Sequence, residues 1–205
     1  GGPTYITGLH CCYLSHGVID IGYPSYRTID KKWFYFWQYC AEDPNCFGMN
    51  EVTQRRIGKS FRAGVLVYEV TSRTKRKRSG IQSKDKEAAE TFFDVHVVQP
   101  FTELEQIFKP TIDLDKGLAP KSVLRFFKQS AKGASSIRKQ EDEGSKELKS
   151  RIDYQSSKNK AYDGKKLLIY IRDEAGKVEE QGANVYLAHG IIKPCLTDED
   201  LIIGK

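Results

Sequence analysis

Four histidines, five cysteines and one methionine in 205 residues leave little material for metal or thiol chemistry. Neither a Walker loop nor GxSxG, HExxH or CxxC is found, so no catalytic residue, metal site or cofactor is expected, and the chain reads as a non-enzyme. No stretch approaches the ~18 apolar residues of a membrane span, and no membrane partner is expected. The opening GGPTYITGL lacks the basic start and apolar middle of a signal peptide. The cysteine count is odd, Cys11 and Cys12 are adjacent and Cys195 is isolated, which excludes a disulfide scaffold. Cys40 and Cys46 have the spacing for a bridge, but without a secretion signal reduced thiols are expected.

What is present is charge and aromatic surface. Hydrophobic residues make up 39% and charged residues 29%, the balance of a folded globular chain, and the length suits one domain over residues 1–205. The net charge of +6 favours an anionic partner. Cations crowd two places. Arg55, Arg56 and Lys59 stand directly before the apolar run RAGVLVYEV, with Arg62 opening that run. Lys75, Arg76, Lys77 and Arg78 follow it, as a solvated loop, a phosphate contact or a short nuclear-import tag.

Strand signals dominate the chain. Residues 5–22, 32–40, 56–74, 91–99, 121–129, 146–156, 165–173 and 183–193 are rich in β-branched and aromatic residues between turn signals. The alternation is cleanest near 150, where Leu148, Ile152 and Tyr154 fall on one face and Glu147, Lys149, Arg151 and Asp153 on the other. About eight such segments predict an all-β sandwich or barrel. Thr102 and Glu105 at capping-box spacing predict one short helix ending at Pro110. Residues 73–90 and 130–147 read as polar loops, the first carrying a short helix at its end. The aromatic run Trp33–Tyr39 reads as core or as a subunit contact, and its neighbours Lys31 and Lys32 also suit stacking on unpaired bases. In HCCYLSH, strand alternation puts His10 and Cys12 on one face, which leaves a Cys–His hydrolase built from Cys11, Cys12, His10 and His16 as an alternative.

The segment NEVTQRRIGKSFRAGVLVYEV (50–70) resembles the stretch that opens a core strand in capsid proteins of small circular single-stranded DNA viruses, of the geminivirus, genomovirus and circovirus kind. FFDVHVVQP, FTELEQIFKP, SVLRFFKQ, KELKSRIDYQSS, KKLLIYIRDEA and NVYLAHGIIKP follow in that family's order, over roughly residues 50–195. The resemblance implies a jelly roll of about eight antiparallel strands, self-assembled into an icosahedral shell around single-stranded nucleic acid, DNA in that family. It implies location in the virion, with passage through the host nucleus during assembly. A jelly-roll coat protein of a small RNA virus is the nearest alternative, and a monomeric nucleic-acid-binding module another. On this reading Arg55, Arg56, Lys59, Arg62 and Lys75 to Arg78 neutralise phosphate. The family's Arg-rich amino-terminal arm has no counterpart in the sequence, and the first 45 residues align with none of its segments.

Overall fold

The computed structural model describes residues 5–19, 22–54, 56–112, 120–127, 148–177, 184–198 and 201–202. The chain is not an all-β jelly roll. It is a mixed α/β structure around one five-stranded sheet. In chain order come α1 (Gly8–His16), α2 (Thr28–Glu42), α3 (Lys59–Ser72), β1 (Arg78–Gln82) and α4 (Lys86–Phe93). A π-helical turn (Asp94–Val98), α5 (Gln99–Glu103), β2 (Thr111–Ile112), β3 (Val123–Phe127), β4 (Ser150–Tyr154), β5 (Ile169–Arg172) and α6 (Val185–Leu196) follow. Thr197–Asp198 (β6) and Leu201–Ile202 (β7) form a short hairpin.

The sheet runs β2-β3-β4-β1-β5. β1 is parallel to both β4 and β5, while β3 is antiparallel to β4 and β2 to β3. Three of the expected strands stand where the sequence puts them, within 121–129, 146–156 and 165–173. β1 lies instead inside the stretch read as a charged loop.

Five of the expected strands are helical. RAGVLVYEV is apolar on both faces, a pattern shared by a fully buried strand and a fully buried helix; length separates them, and 14 residues favour the helix. In α3, Arg62, Val65, Leu66, Val67 and Thr71 are all buried, so tertiary packing overrides the modest helix propensity of valine. In α2 the inward positions are Asp30, Trp33, Phe34, Trp37 and Cys40, a helical and not an alternating period. Residues 5–22 hold α1, capped where Thr7 Oγ1 accepts the His10 N–H at 3.1 Å. Residues 183–193 fall largely in α6.

Residues 91–99 are helical too, running through the end of α4 and the π turn. Asp85 caps α4 by accepting the Ala88 N–H at 2.7 Å. The capping box expected at Thr102 does not form. Thr102 lies inside α5, and its hydroxyl donates back to Gln99 O at 2.8 Å and Val98 O at 3.2 Å. Pro100 has no N–H to give His96 O, and Gly64 of α3 lies against that carbonyl. A Cβ on Gly64 would sit 2.2 Å from His96 O, so only glycine allows the approach.

α3, α4, the π turn and α5 cover one face of the sheet with a core that includes Val67, Ile81, Phe92, Phe93, Val97, Leu124, Phe126 and Ile152. On the other face Tyr162 lies over Gly80, where a Cβ would come within 2.7 Å of the ring. Tyr162 packs there with Leu167, Ile192 and Cys195. Among the described residues no helix is long and apolar enough to cross a membrane.

Candidate active site

α3 leads from its amino end to the start of β1, and β1 and β5 run parallel. Asp173, just past the carboxyl end of β5, meets Lys59 at the start of α3. In open α/β sheets this is the edge where ligands collect.

The start of α3 is unusual. Gly58 precedes the helix with φ +85°, and Arg56 two residues earlier has φ +66°, a conformation uncommon outside glycine. Lys59, Ser60 and Phe61 open the helix. The first bond of the ladder is Arg62 N–H to Gly58 O at 3.2 Å, so the three amides ahead of it precede the intrahelical bonds. Such amides, with the positive end of the helix dipole, suit an anion.

Arg27 fixes this turn from α2. Its Nη2 donates to Ile57 O at 2.9 Å, while Nε and Nη2 hold Asp30 at 2.7 and 2.8 Å. Asp30 also accepts from Arg62 Nη1 at 2.7 Å. The other arm of Arg62 grips Glu51, whose second oxygen takes the Trp33 indole N–H at 2.8 Å. Two helices and the approach to the turn are therefore held by one partly buried ionic network. Thr53 Oγ1, at the start of that approach, is buried and without a protein hydrogen-bond partner.

Lys59 Nζ reaches Asp173 Oδ1 at 2.6 Å. Asp173 follows β5, and its N–H donates to Gln82 O at 2.9 Å, continuing the β1–β5 ladder. Glu174 comes next with φ +50°, so Arg56 and Glu174, two of four non-glycine positive-φ residues among those described, flank the pair. The Lys177 ammonium lies 2.9 Å from Glu174 Oε1. That bond, with the fields of Lys177, Lys84 and Lys59, holds the Glu174 carboxyl below its ordinary range against the opposing effect of burial. Asp173 and Glu174 line a cleft of about 460 Å³, shared with Lys84, Asp85, Thr91 and His96.

Gly58-Lys59-Ser60 opens α3, and the apolar run Leu167–Ile171 is followed two residues later by Asp173 and Glu174. The full G-x-x-x-x-G-K-[ST] pattern fails at one position, because Thr53 stands where the first glycine would be. Thr53 does not adopt positive φ, so the loop requires no glycine there.

The other cations selected from sequence fall in different places. Arg55 lies outside the described residues. Arg56 is exposed beside the loop. Arg62 is 1% exposed and held by Asp30 and Glu51, which removes it from any surface that meets nucleic acid. Arg78 is largely buried against Asp153, its Nη2 2.8 Å from Oδ1. Lys75 and Arg76 are exposed and Lys77 half-buried, at the opposite end of β1 from the cleft.

The Cys–His set is arranged differently from the strand expectation, with Cys12 and His16 one turn apart. α1 is a helix, His10 is fully buried between the rings of Tyr26 and Phe34, and His16 packs on Phe108. Burial and Glu69 push the Cys12 thiol up to about 12. All five cysteines are free.

No family model, no curated protein and no solved structure matches the chain.

Proposed function

We propose that this chain binds and hydrolyses a nucleoside triphosphate. The observation that carries the reading is the 2.6 Å contact between Lys59, first residue of α3, and Asp173, at the end of an apolar strand 114 residues away. A lysine, a helix start and an aspartate-glutamate pair converge there, and phosphoryl transfer needs that combination of charge and position.

Each residue has a role in this reading. The amides of Lys59, Ser60 and Phe61 cradle the phosphate oxygens, and Lys59 exchanges Asp173 for the β- and γ-phosphates. The Asp173 carboxylate and Ser60 hydroxyl are hard oxygen donors that would hold a Mg²⁺ ion accompanying the nucleotide. When bound, that ion neutralises charge on the phosphates. Glu174 accepts the proton of the attacking water as the new O–P bond forms; the bridging O–P bond breaks and the nucleoside diphosphate leaves.

The test is binding of a fluorescent nucleotide and release of inorganic phosphate by the full chain. Lys59→Ala should weaken binding about tenfold or more, the scale of a lost charge-assisted hydrogen bond. Glu174→Gln should bind nucleotide and release no phosphate. A wild-type chain that binds no nucleoside triphosphate overturns the reading.

A polyanion partner is a second reading, favoured by one observation. Arg125 and Arg151 stand in register on β3 and β4, opposite the start of β1, which Lys75, Arg76 and Lys77 precede. Single-stranded nucleic acid along this end of the sheet would bind with a log–log salt slope of about 0.7 per phosphate contact. A slope unchanged by replacing Lys75, Arg76 and Lys77 with alanine would end it. Of the seven segments behind the shell-forming reading, three hold β3, β4 and β5 and four hold α3, the π turn, α5 and α6, so the jelly roll it implied is replaced by a mixed α/β fold.

A further inference from the structure

We propose that Lys177 is a positioning residue that anchors one oxygen of Glu174 and so directs the other at the attacking water; this rests on the nucleotide-hydrolysis reading. The two residues belong to one tight reversal of the chain. Glu174 adopts φ +50°, and Lys177 N–H donates to Glu174 O at 2.9 Å, closing a 3-10 turn over Ala175–Lys177. The same lysine returns its ammonium to Glu174 Oε1 at 2.9 Å. Backbone and side chain of Lys177 therefore both hold Glu174.

The anchoring matters because of what surrounds the carboxylate. Lys59 on α3 is bonded to the neighbouring Asp173, and Lys84, Asp85, Glu87 and His96 line the same cleft. Lys84 has its own partner in Asp85, at 4.0 Å. An unanchored glutamate would swing to Lys59 or Lys84, away from any water in line with a phosphate on Lys59. With Oε1 held by Lys177, Oε2 is left to accept the proton. Strain at Glu174 is consistent with this, because a left-handed glutamate persists only where its surroundings hold it.

A plain ion pair on an exposed turn contributes little to stability and nothing to turnover. The anchor makes a different prediction. Lys177→Met should lower kcat about tenfold or more, a part of the general-base contribution. KM for the nucleotide should stay within about twofold, because the phosphate contacts are untouched. Lys177→Arg should recover most of kcat, since it keeps the cation. Both side chains are partly exposed, and a thermal melt of each variant separates misfolding from mispositioning. Lys177→Met with wild-type kcat overturns the anchor, and so does Lys177→Arg falling as far as Lys177→Met. The hydrolysis reading is scored separately: phosphate release lost in Lys59→Ala but kept in Lys177→Met sinks the anchor alone, whereas a wild-type chain without hydrolysis sinks both.

Discussion

The Arg62 guanidinium lies 2.7 Å from the Asp30 carboxylate, and neither side chain is more than 1% exposed. A buried pair of this kind adds little over a well-packed apolar pair, but removing one partner is expensive. Arg62 also spans to Glu51 and stacks on Trp33, 5.4 Å from its ring centre. It joins α2, α3 and the approach to Gly58. Arg62→Ala should therefore destabilise the fold by about 3 kcal/mol, the low end for such a break because Asp30 keeps Arg27. Arg62→Lys should recover only part, since an ammonium lacks the two-armed fork. Urea unfolding measures both. A loss below about 1 kcal/mol would mean that the network is dispensable.

Gly64 carries a prediction of the opposite kind, where adding an atom does the damage. Its Cβ would sit 2.2 Å from His96 O and 2.8 Å from His96 Cβ, and the carbonyl cannot swing aside as a flexible side chain would. In an exposed helix, glycine to alanine gains stability. Here Gly64→Ala should lose about 1–3 kcal/mol, as overpacking does, and loosen the contact of α3 with the π turn. Because α3 carries Lys59, the same variant should weaken nucleotide binding. A melt at or above the wild-type temperature would show that α3 and the π turn are farther apart than described.

Legibility followed the local physics. β4 was readable because one face is core and the other is not: Leu148, Ile152 and Tyr154 do face the apolar cluster. On the opposite face Asp153 is buried as well, but beneath Arg78 and Tyr162, with its charge matched. α3 was unreadable by alternation, since burial all round erases any period. β1 was hidden by its lysines and arginines, although Ser79, Gly80, Ile81 and Gln82 are all buried. In the site, charge alone singles out Lys59. Its partner Asp173 ends the run KKLLIYIRD and Glu174 follows it, where only the contact with Lys59 singles them out. Thr53 in place of glycine hides that pairing from a strict motif. Arg27 and Lys177 have no sequence signature at all, because their roles come from contacts with Ile57 O and Glu174.

The two adjacent cysteines provide the last prediction. In a strand Cys11 and Cys12 would point to opposite faces and His10 would share a face with Cys12. On α1 they lie about 100° apart, with Cys11 exposed and Cys12 half-buried against α3. A thiol reacts as its thiolate. Burial and the Glu69 carboxylate push Cys12 up to about 12, and the imidazole of His10 is occupied by two aromatic rings. At pH 8 only about one Cys12 in ten thousand would be ionised. Iodoacetamide at that pH should therefore label Cys11 and spare Cys12, as peptide mass mapping would show. A Cys11→Ser, Cys12→Ser double variant should keep nucleotide hydrolysis at the wild-type rate. Rapid labelling of Cys12 would mean an activated thiolate, and would favour the thiol-hydrolase alternative.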